Sequence, residues 1–342
     1  MTARPDSLGM LDAAMRLPER TEQALLLAQD AALPSAEDAS SIVIIGAGTA
    51  GLAARTVAFV AACAGNVATM AVTDTELPTW VSTNSLCIVI DHGESSNAIC
   101  EAVDKAASLG AAIIATAIVG DVHARVERAG GSVVTLDACP AAPRAAWGPL
   151  CAAPLVVLDR LGFLPGLEPA LDHAIQQLRH RRDAYAAGDD APLRLARRIG
   201  RSIPLVTGGG SLGALAAARW KQQCNVNAKI PAFASALPEL LYDEIAGWGQ
   251  HGDVTRQVLT SVLLRHDYER AEIREAFDRL VPALEESLLA VHVVVASGVG
   301  PLAQLFDLFL QADMVSLELA AQEGLDPGPA PALAYNGHQA IP

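Results

Sequence analysis

Residues 40–55 read Ser-Ser-Ile-Val-Ile-Ile-Gly-Ala-Gly-Thr-Ala-Gly-Leu-Ala-Ala-Arg, and no other stretch constrains the chain as much. Four β-branched residues, Ile42, Val43, Ile44 and Ile45, run into Gly46, Gly48 and Gly51, and an alanine-rich segment follows. This order builds a strand, a tight turn and a helix N-terminus. The outward N–H groups and the dipole of such a terminus favour an anion. The spacing also satisfies G-x-G-x-x-G, the dinucleotide fingerprint, with Asp74 placed to meet a ribose at the end of the next strand. Which anion the loop is built for has to be decided from the rest of the chain.

Beyond the loop, apolar runs at 42–46, 67–73, 86–91, 111–118 and 132–138 alternate with helix-type segments at 50–64, 95–109 and 119–129. That alternation predicts an α/β fold with a parallel sheet. Residues 6–33 read as helical, with Pro34-Ser35-Ala36 as a linker. Residues 145–200 hold no convincing strand and read as a helical connector, with Arg179, His180, Arg181 and Arg182 on a solvated face. A second unit begins at Ile203-Pro204-Leu205-Val206. It enters Thr207-Gly208-Gly209-Gly210-Ser211 and a helix from Ala214 to Trp220, with Ser211 as the expected N-cap. Further strands are expected at 258–264 and 291–297, and helices at 267–289 and 300–323. The domains expected are therefore 1–40 (helical), 41–150, 151–200 (connector), 201–323 and a tail, 324–342. A strand–glycine-loop–helix unit that occurs twice argues for duplication. A one-site nicotinamide or flavin oxidoreductase does not call for a second copy, so that reading ranks last.

The net charge of −14 argues against nucleic acid or an anionic membrane as a partner. No apolar run reaches the ~20 residues of a membrane span, and residues 1–6 lack a signal-peptide pattern. A cytoplasmic location is expected. The six cysteines contain no C-x-x-C pair and are expected to be buried free thiols, Cys224 included. Asp91, His92 and Glu94 resemble part of a metal shell, but ligands so close together rarely complete a site. Neither a metal nor a cofactor is expected.

Three segments carry a family resemblance: Gly46-x-Gly48-x-x-Gly51; Cys139-Pro140-Ala141-Ala142-Pro143-Arg144-Ala145-Ala146; and Lys221-Gln222-Gln223-Cys224-Asn225-Val226-Asn227-Ala228-Lys229, with Pro238-Glu239 after it. Together they resemble the bifunctional phosphoglucose/phosphomannose isomerases, which are built from two sugar isomerase (SIS) domains. The divergent actinobacterial TobH-like branch looks closer still. The resemblance spans nearly the whole chain and implies two flavodoxin-like SIS domains, a homodimer, and sugar-phosphate isomerisation through an enediol. That reaction needs a base between C1 and C2, a group that opens the ring, and an Arg and hydroxyls for phosphate.

The departures fall on those roles. Where the resemblance implies a Ser-x-Ser-Gly-x-Thr phosphate loop, the chain has Ile90-Asp91-His92-Gly93-Glu94-Ser95, with two carboxylates that repel a dianion. Val226 stands where the resemblance implies the catalytic Glu. The implied His falls near Leu241-Tyr242, and the implied C-terminal Lys near Gly337. The ligand-binding candidates are Gly46, Gly48, Thr49, Ser95 and Arg144; Arg144 reads equally well as a structural ion pair. Candidates for a replacement base are Glu94, Glu239 and His251, with His92 beside them. The expected function is a degenerate isomerase homologue that binds a phosphosugar, a nucleotide-sugar pathway metabolite or a protein partner. An isomerase with a rebuilt base is the alternative.

Overall fold

The computed structural model describes residues 5–36, 38–73, 76–93 and 97–330. They form two compact units, residues 16–172 and residues 5–15 with 173–330. The helical start divides between them. α1 (Met10–Met15) belongs to the C-terminal unit and α2 (Leu17–Asp30) to the N-terminal one. α2 begins where it does because Pro18 sits in its first turn, a place where a missing N–H costs nothing.

The N-terminal unit alternates strand and helix: β1 (Ser41–Ile45), α3 (Gly48–Ala64), β2 (Ala68–Val72), β3 (Ser85–Asp91), α4 (Asn97–Ser108), β4 (Ala112–Ala117), α5 (Asp121–Arg128) and β5 (Ser132–Thr135). The sheet is parallel throughout, in the order β2-β1-β3-β4-β5, the flavodoxin-like order. Every residue of β3 is buried, as a central strand covered on both faces must be. On one face Val43, Ile45, Cys87, Val89 and Ala115 pack with Ile99, Val103 and Ala106 of α4 and Val122 and Val126 of α5. α3 and α6 (Trp147–Arg160) pack against each other and against β3, and α2 lies along α6.

The stretch read as a connector does not exist as a separate body. α6 belongs to the N-terminal unit, whereas α7 (Glu168–Ala186) from His173 onward and α8 (Ala191–Ile199) belong to the C-terminal one. Helical periodicity alone carries no signal for which sheet a helix will cover. The solvated reading of 179–182 also fails at Arg181. Its guanidinium is bidentate on Asp307, with both contacts at 2.8 Å, and Asp307 is 0% exposed. A carboxylate buried that deeply requires a cationic partner.

The C-terminal unit continues with β6 (Ile203–Gly209), α9 (Gly210–Val226), β7 (Phe233–Leu237), α10 (Gly252–Val258), β8 (Leu259–Arg265), α11 (Ala271–Ser287), β9 (Ala290–Val295) and α12 (Pro301–Gln322). Its sheet is separate and parallel, ordered β7-β6-β8-β9, which repeats the first four positions of the other sheet. β7 is absent from the sequence reading because it is an edge strand of Phe-Ala-Ser-Ala-Leu with only Leu237 buried, so no apolar alternation marks it. α9 starts at Gly210 with Gly209 as its N-cap, two residues before the expected cap at Ser211.

The duplication runs deeper than the sequence reading found. Gly208, Gly210 and Gly213 repeat the spacing of Gly46, Gly48 and Gly51, and Gly48 and Gly210 share the left-handed backbone, φ 57° and 60°. In each loop the first glycine lies against the helix start. A Cβ on Gly46 would stand 2.6 Å from the Ala50 carbonyl oxygen, and one on Gly208 would stand 2.0 Å from that of Gly213. Neither backbone contact can be relieved by a side-chain rotation. We expect Gly46→Ala to destabilise the chain toward the upper end of the roughly 1–3 kcal/mol typical of overpacking, and Gly208→Ala by more. Urea unfolding measures both, and a wild-type midpoint for Gly208→Ala would show that the turn is not the rigid corner described.

Candidate ligand site

In an open parallel sheet, ligands collect outside the carboxyl ends of the strands where the strand order reverses, here between β1 and β3. α3 begins at that edge. Its N-cap is Ala47, whose side chain caps nothing, and Gly48 is exposed beside it. Gly46 is buried and donates its N–H to the Val72 carbonyl at 3.1 Å. Thr49 is 1% exposed, so the glycine loop presents backbone at Gly48 rather than the threonine hydroxyl. Arg144 lies in the short helical turn Pro143–Ala146, which packs against α3; it is 6% exposed and already has a partner of its own.

The end of β3 differs from the sequence reading. Ile90 is a core strand residue at 1% exposure, so the loop begins only after Asp91. Asp91 is buried, and its Oδ2 accepts the Gly93 N–H at 3.2 Å. His92 is buried as well. Its Nε2 lies 3.2 Å from the Cys139 N–H and 3.4 Å from the Asp137 carbonyl. One tautomer cannot serve both; the shorter contact makes Nε2 an acceptor and places the proton on Nδ1. Nδ1 has no partner among the described residues. The same corner is braced from α2, where Arg20 reaches the Cys139 sulfur at 2.6 Å and Gln23 the Asp137 carboxylate at 2.6 Å. No motif points from α2 to this corner; only the packing of α2 on α6 brings it there. Asp74, Glu94, Ser95 and Gly337 lie outside the described residues.

In the C-terminal unit the motif around Val226 is a folding frame. Asn227 is fully buried and donates from Nδ2 to Ser316 Oγ at 3.0 Å. Asn225 Oδ1 accepts the Ala232 N–H at 2.8 Å, which fixes the turn into β7. Lys229 holds a left-handed backbone, φ 56°, and its ammonium donates to the Val226 carbonyl at 3.1 Å. Val226 therefore contributes a carbonyl oxygen and an aliphatic side chain, neither of which can take a proton from carbon. Glu239, Tyr242 and His251 are all exposed on the segment between β7 and α10. Cys224 is buried, and burial pushes its thiol up to about 12, so it stays protonated and packs as an apolar group.

Strand register aligns the two units. Ile45 pairs with Val89 as Thr207 pairs with Leu263, which makes His266 the counterpart of His92. His266 is also buried, with Nε2 2.9 Å from the Gly209 carbonyl and Nδ1 unpartnered among the described residues. Here the loop is occupied from within. Glu269, 5% exposed, accepts the His266 N–H at 3.0 Å and pairs with Arg265 at 2.9 Å. An internal carboxylate thus takes the backbone N–H that an external anion would need.

Comparison with known proteins follows the same division. Residues 189–336 match the bacterial phospho-glucose isomerase C-terminal SIS domain. The bifunctional phosphoglucose/phosphomannose isomerase of Caldicellulosiruptor bescii is 25% identical over 328 residues, covering 94% of this chain and 95% of the relative. The Aquifex aeolicus protein of the same name is 33% identical over 135 residues, 40% of this chain and 41% of that one. The C-terminal domain of glucosamine-fructose-6-phosphate aminotransferase from Francisella tularensis shares the fold, with a TM-score of 0.71 at 14% identity, covering 94% of this chain and 98% of that one.

Burial holds the His92 imidazole below its ordinary range; Arg20 acts the same way, against the opposing pull of the Asp137 carbonyl and Asp91. The folded state therefore keeps His92 neutral where the unfolded chain, with a value of about 6.5, takes a proton. Below that pH the unfolded state binds more protons, so stability is lost on acidification. His292, also lowered by burial, acts in the same direction. We expect the urea unfolding free energy to fall between pH 7.5 and 5.5, and His92→Gln to make that fall shallower. Identical slopes for variant and parent would remove His92 from the pH response.

Proposed function

We propose, for a chain that belongs to the bifunctional phosphoglucose/phosphomannose isomerase family, that it binds a phosphosugar-type metabolite or a protein partner without isomerising sugar phosphates. The observation that carries this reading is Val226. Proton transfer at carbon depends on a positioned acid–base group, typically worth about 10²–10⁴-fold, and the residue at the base position offers none. The surrounding frame of Asn225, Asn227 and Lys229 is intact, and each makes a hydrogen bond that holds the local structure. At the β3 corner, buried Ile90 and His92 stand where the family resemblance implies the two phosphate-binding hydroxyls, and the Asp91 carboxylate between them repels a dianion. What supports a retained ligand is the exposed Gly48 at the start of α3. The reading includes a cytoplasmic homodimer.

No helix among the described residues is long and apolar enough to cross a membrane. An isomerase with a rebuilt base is the second reading. It is favoured by the exposure of Glu239 and His251 on one segment, where either could meet a substrate.

The test is a coupled assay on the purified chain with glucose 6-phosphate, mannose 6-phosphate and fructose 6-phosphate, with exchange of the C2 proton followed by NMR. We expect no interconversion above background. Val226→Glu alone should restore little, because the ring-opening position and the phosphate corner remain altered. Turnover at about one per second or faster would overturn the proposal. Loss of that turnover in Glu239→Gln or His251→Gln would then identify the new base.

A further inference from the structure

Two adjoining cavities run along the outer side of β7, of about 430 and 470 Å³. They share Lys221 and Phe233, so they form one groove. At one end stand Asn225 and Lys229, and at the other Trp248 and Glu244. Each cavity alone falls in the roughly 300–1,000 Å³ range of small-molecule sites.

The chemistry along this groove is ordered. The chain has only three lysines, and Lys221 and Lys229 both lie here, in a protein of net charge −14. Two ammonium groups against one lining carboxylate, Glu244, give the groove a local positive potential against the global field. The aromatic end is equally selective. Phe233 leaves 55% of its surface exposed, which is unusual for a residue whose burial is worth about 1.5–3 kcal/mol. The indole Nε1–H of Trp248 is buried without an acceptor among the described residues. Trp248, half-buried, sets a second aromatic ring at the same end of the groove. Glu244 is held by the Ser235 hydroxyl at 2.5 Å, leaving acceptor capacity for a ligand hydroxyl.

We propose that this groove binds a nucleoside diphosphate or its sugar conjugate. The base lies on Phe233 beside Trp248, the ribose hydroxyls face Glu244, and the phosphates meet Lys221 and Lys229. A flat aromatic base suits the exposed ring face, and a diphosphate suits two ammonium groups. A hexose phosphate alone would leave one of the two cavities empty. The inference deepens the reading of the chain as a metabolite-binding homologue by naming the class of metabolite, and it uses residues remote from Gly48 and the β3 corner in sequence.

The experiment is calorimetric titration of the full chain with UDP and GDP, alongside uridine, inorganic phosphate and glucose 6-phosphate, at low salt. We expect at least one of the two nucleotides to bind with a Kd below about 1 mM. Phe233→Ala and Lys221→Gln, both exposed positions, should each weaken it roughly tenfold, the size of one lost charge-assisted or stacking contact. Trp248→Phe should abolish any nucleotide-induced quench of tryptophan fluorescence while the circular dichroism spectrum is kept. Absence of binding by both nucleotides at millimolar concentration overturns the proposal. So does equal binding by inorganic phosphate or glucose 6-phosphate in competition with the nucleotide, because the aromatic end would then contribute nothing. Glucose 6-phosphate binding that survives Lys221→Gln, with no nucleotide binding, would remove this site and leave the phosphosugar reading standing.

Discussion

The contact on which both units depend is the approach of a glycine at a strand end to the first turn of the following helix. At Gly46 and at Gly208 the space that a side chain would fill is already occupied by a backbone carbonyl. Only there can the chain turn from the sheet into α3 or α9 without lifting the helix off the sheet. That turn sets where the helix N-termini emerge, and hence where backbone N–H groups face outward. A parallel sheet built on such corners buries its central strands on both faces, which β3 shows along its whole length. The same corner built twice, with the same left-handed glycine at the helix start, gives the two sheets their common strand order.

Around the second corner, polar groups do work that apolar packing cannot. α12 carries buried Asp307 and Asp313 among its apolar residues. Asp313 pairs with Arg219 of α9 at 2.6 Å and accepts from Gln223 at 2.8 Å, and Asp307 is clamped by Arg181 and Gln177 of α7. These pairs fix which face of α12 meets α9 and α7, because a slip would strand a carboxylate without its cation. Asn225, Asn227 and Lys229 are likewise held by hydrogen bonds internal to the fold, which do not depend on the side chain at Val226.

The two units have treated the equivalent loop differently. In one, the β3 corner keeps His92 buried and neutral against the 137–139 backbone. In the other, Glu269 fills the loop from inside. Both outcomes remove hydrogen-bond capacity from an edge where a parallel sheet ordinarily holds a ligand. With those donors committed, the outer side of β7, with its lysines and exposed ring, is the better-equipped surface of the C-terminal unit.

The sequence by itself determined the α/β class, the alternation of elements and the repeated glycine turn. Those depend on local signals: β-branched runs, glycine spacing and alanine-rich helices. It also marked Val226, since a side chain without a proton acceptor needs no coordinates to be recognised. Only the tertiary structure decided the rest. It divided the helices of 151–200 between two units, because helical periodicity does not record which sheet a helix covers. It added β7, whose small and exposed residues carry no strand pattern. It moved Ile90 into the core, and it placed Arg20 and Gln23 beside Cys139 and Asp137. It also brought Lys221 and Lys229 into one groove with Phe233 and Trp248. Each of these is a contact between residues distant in the chain, or a burial set by neighbours. Such facts follow from how helices and sheets close on one another, which local spacing does not contain.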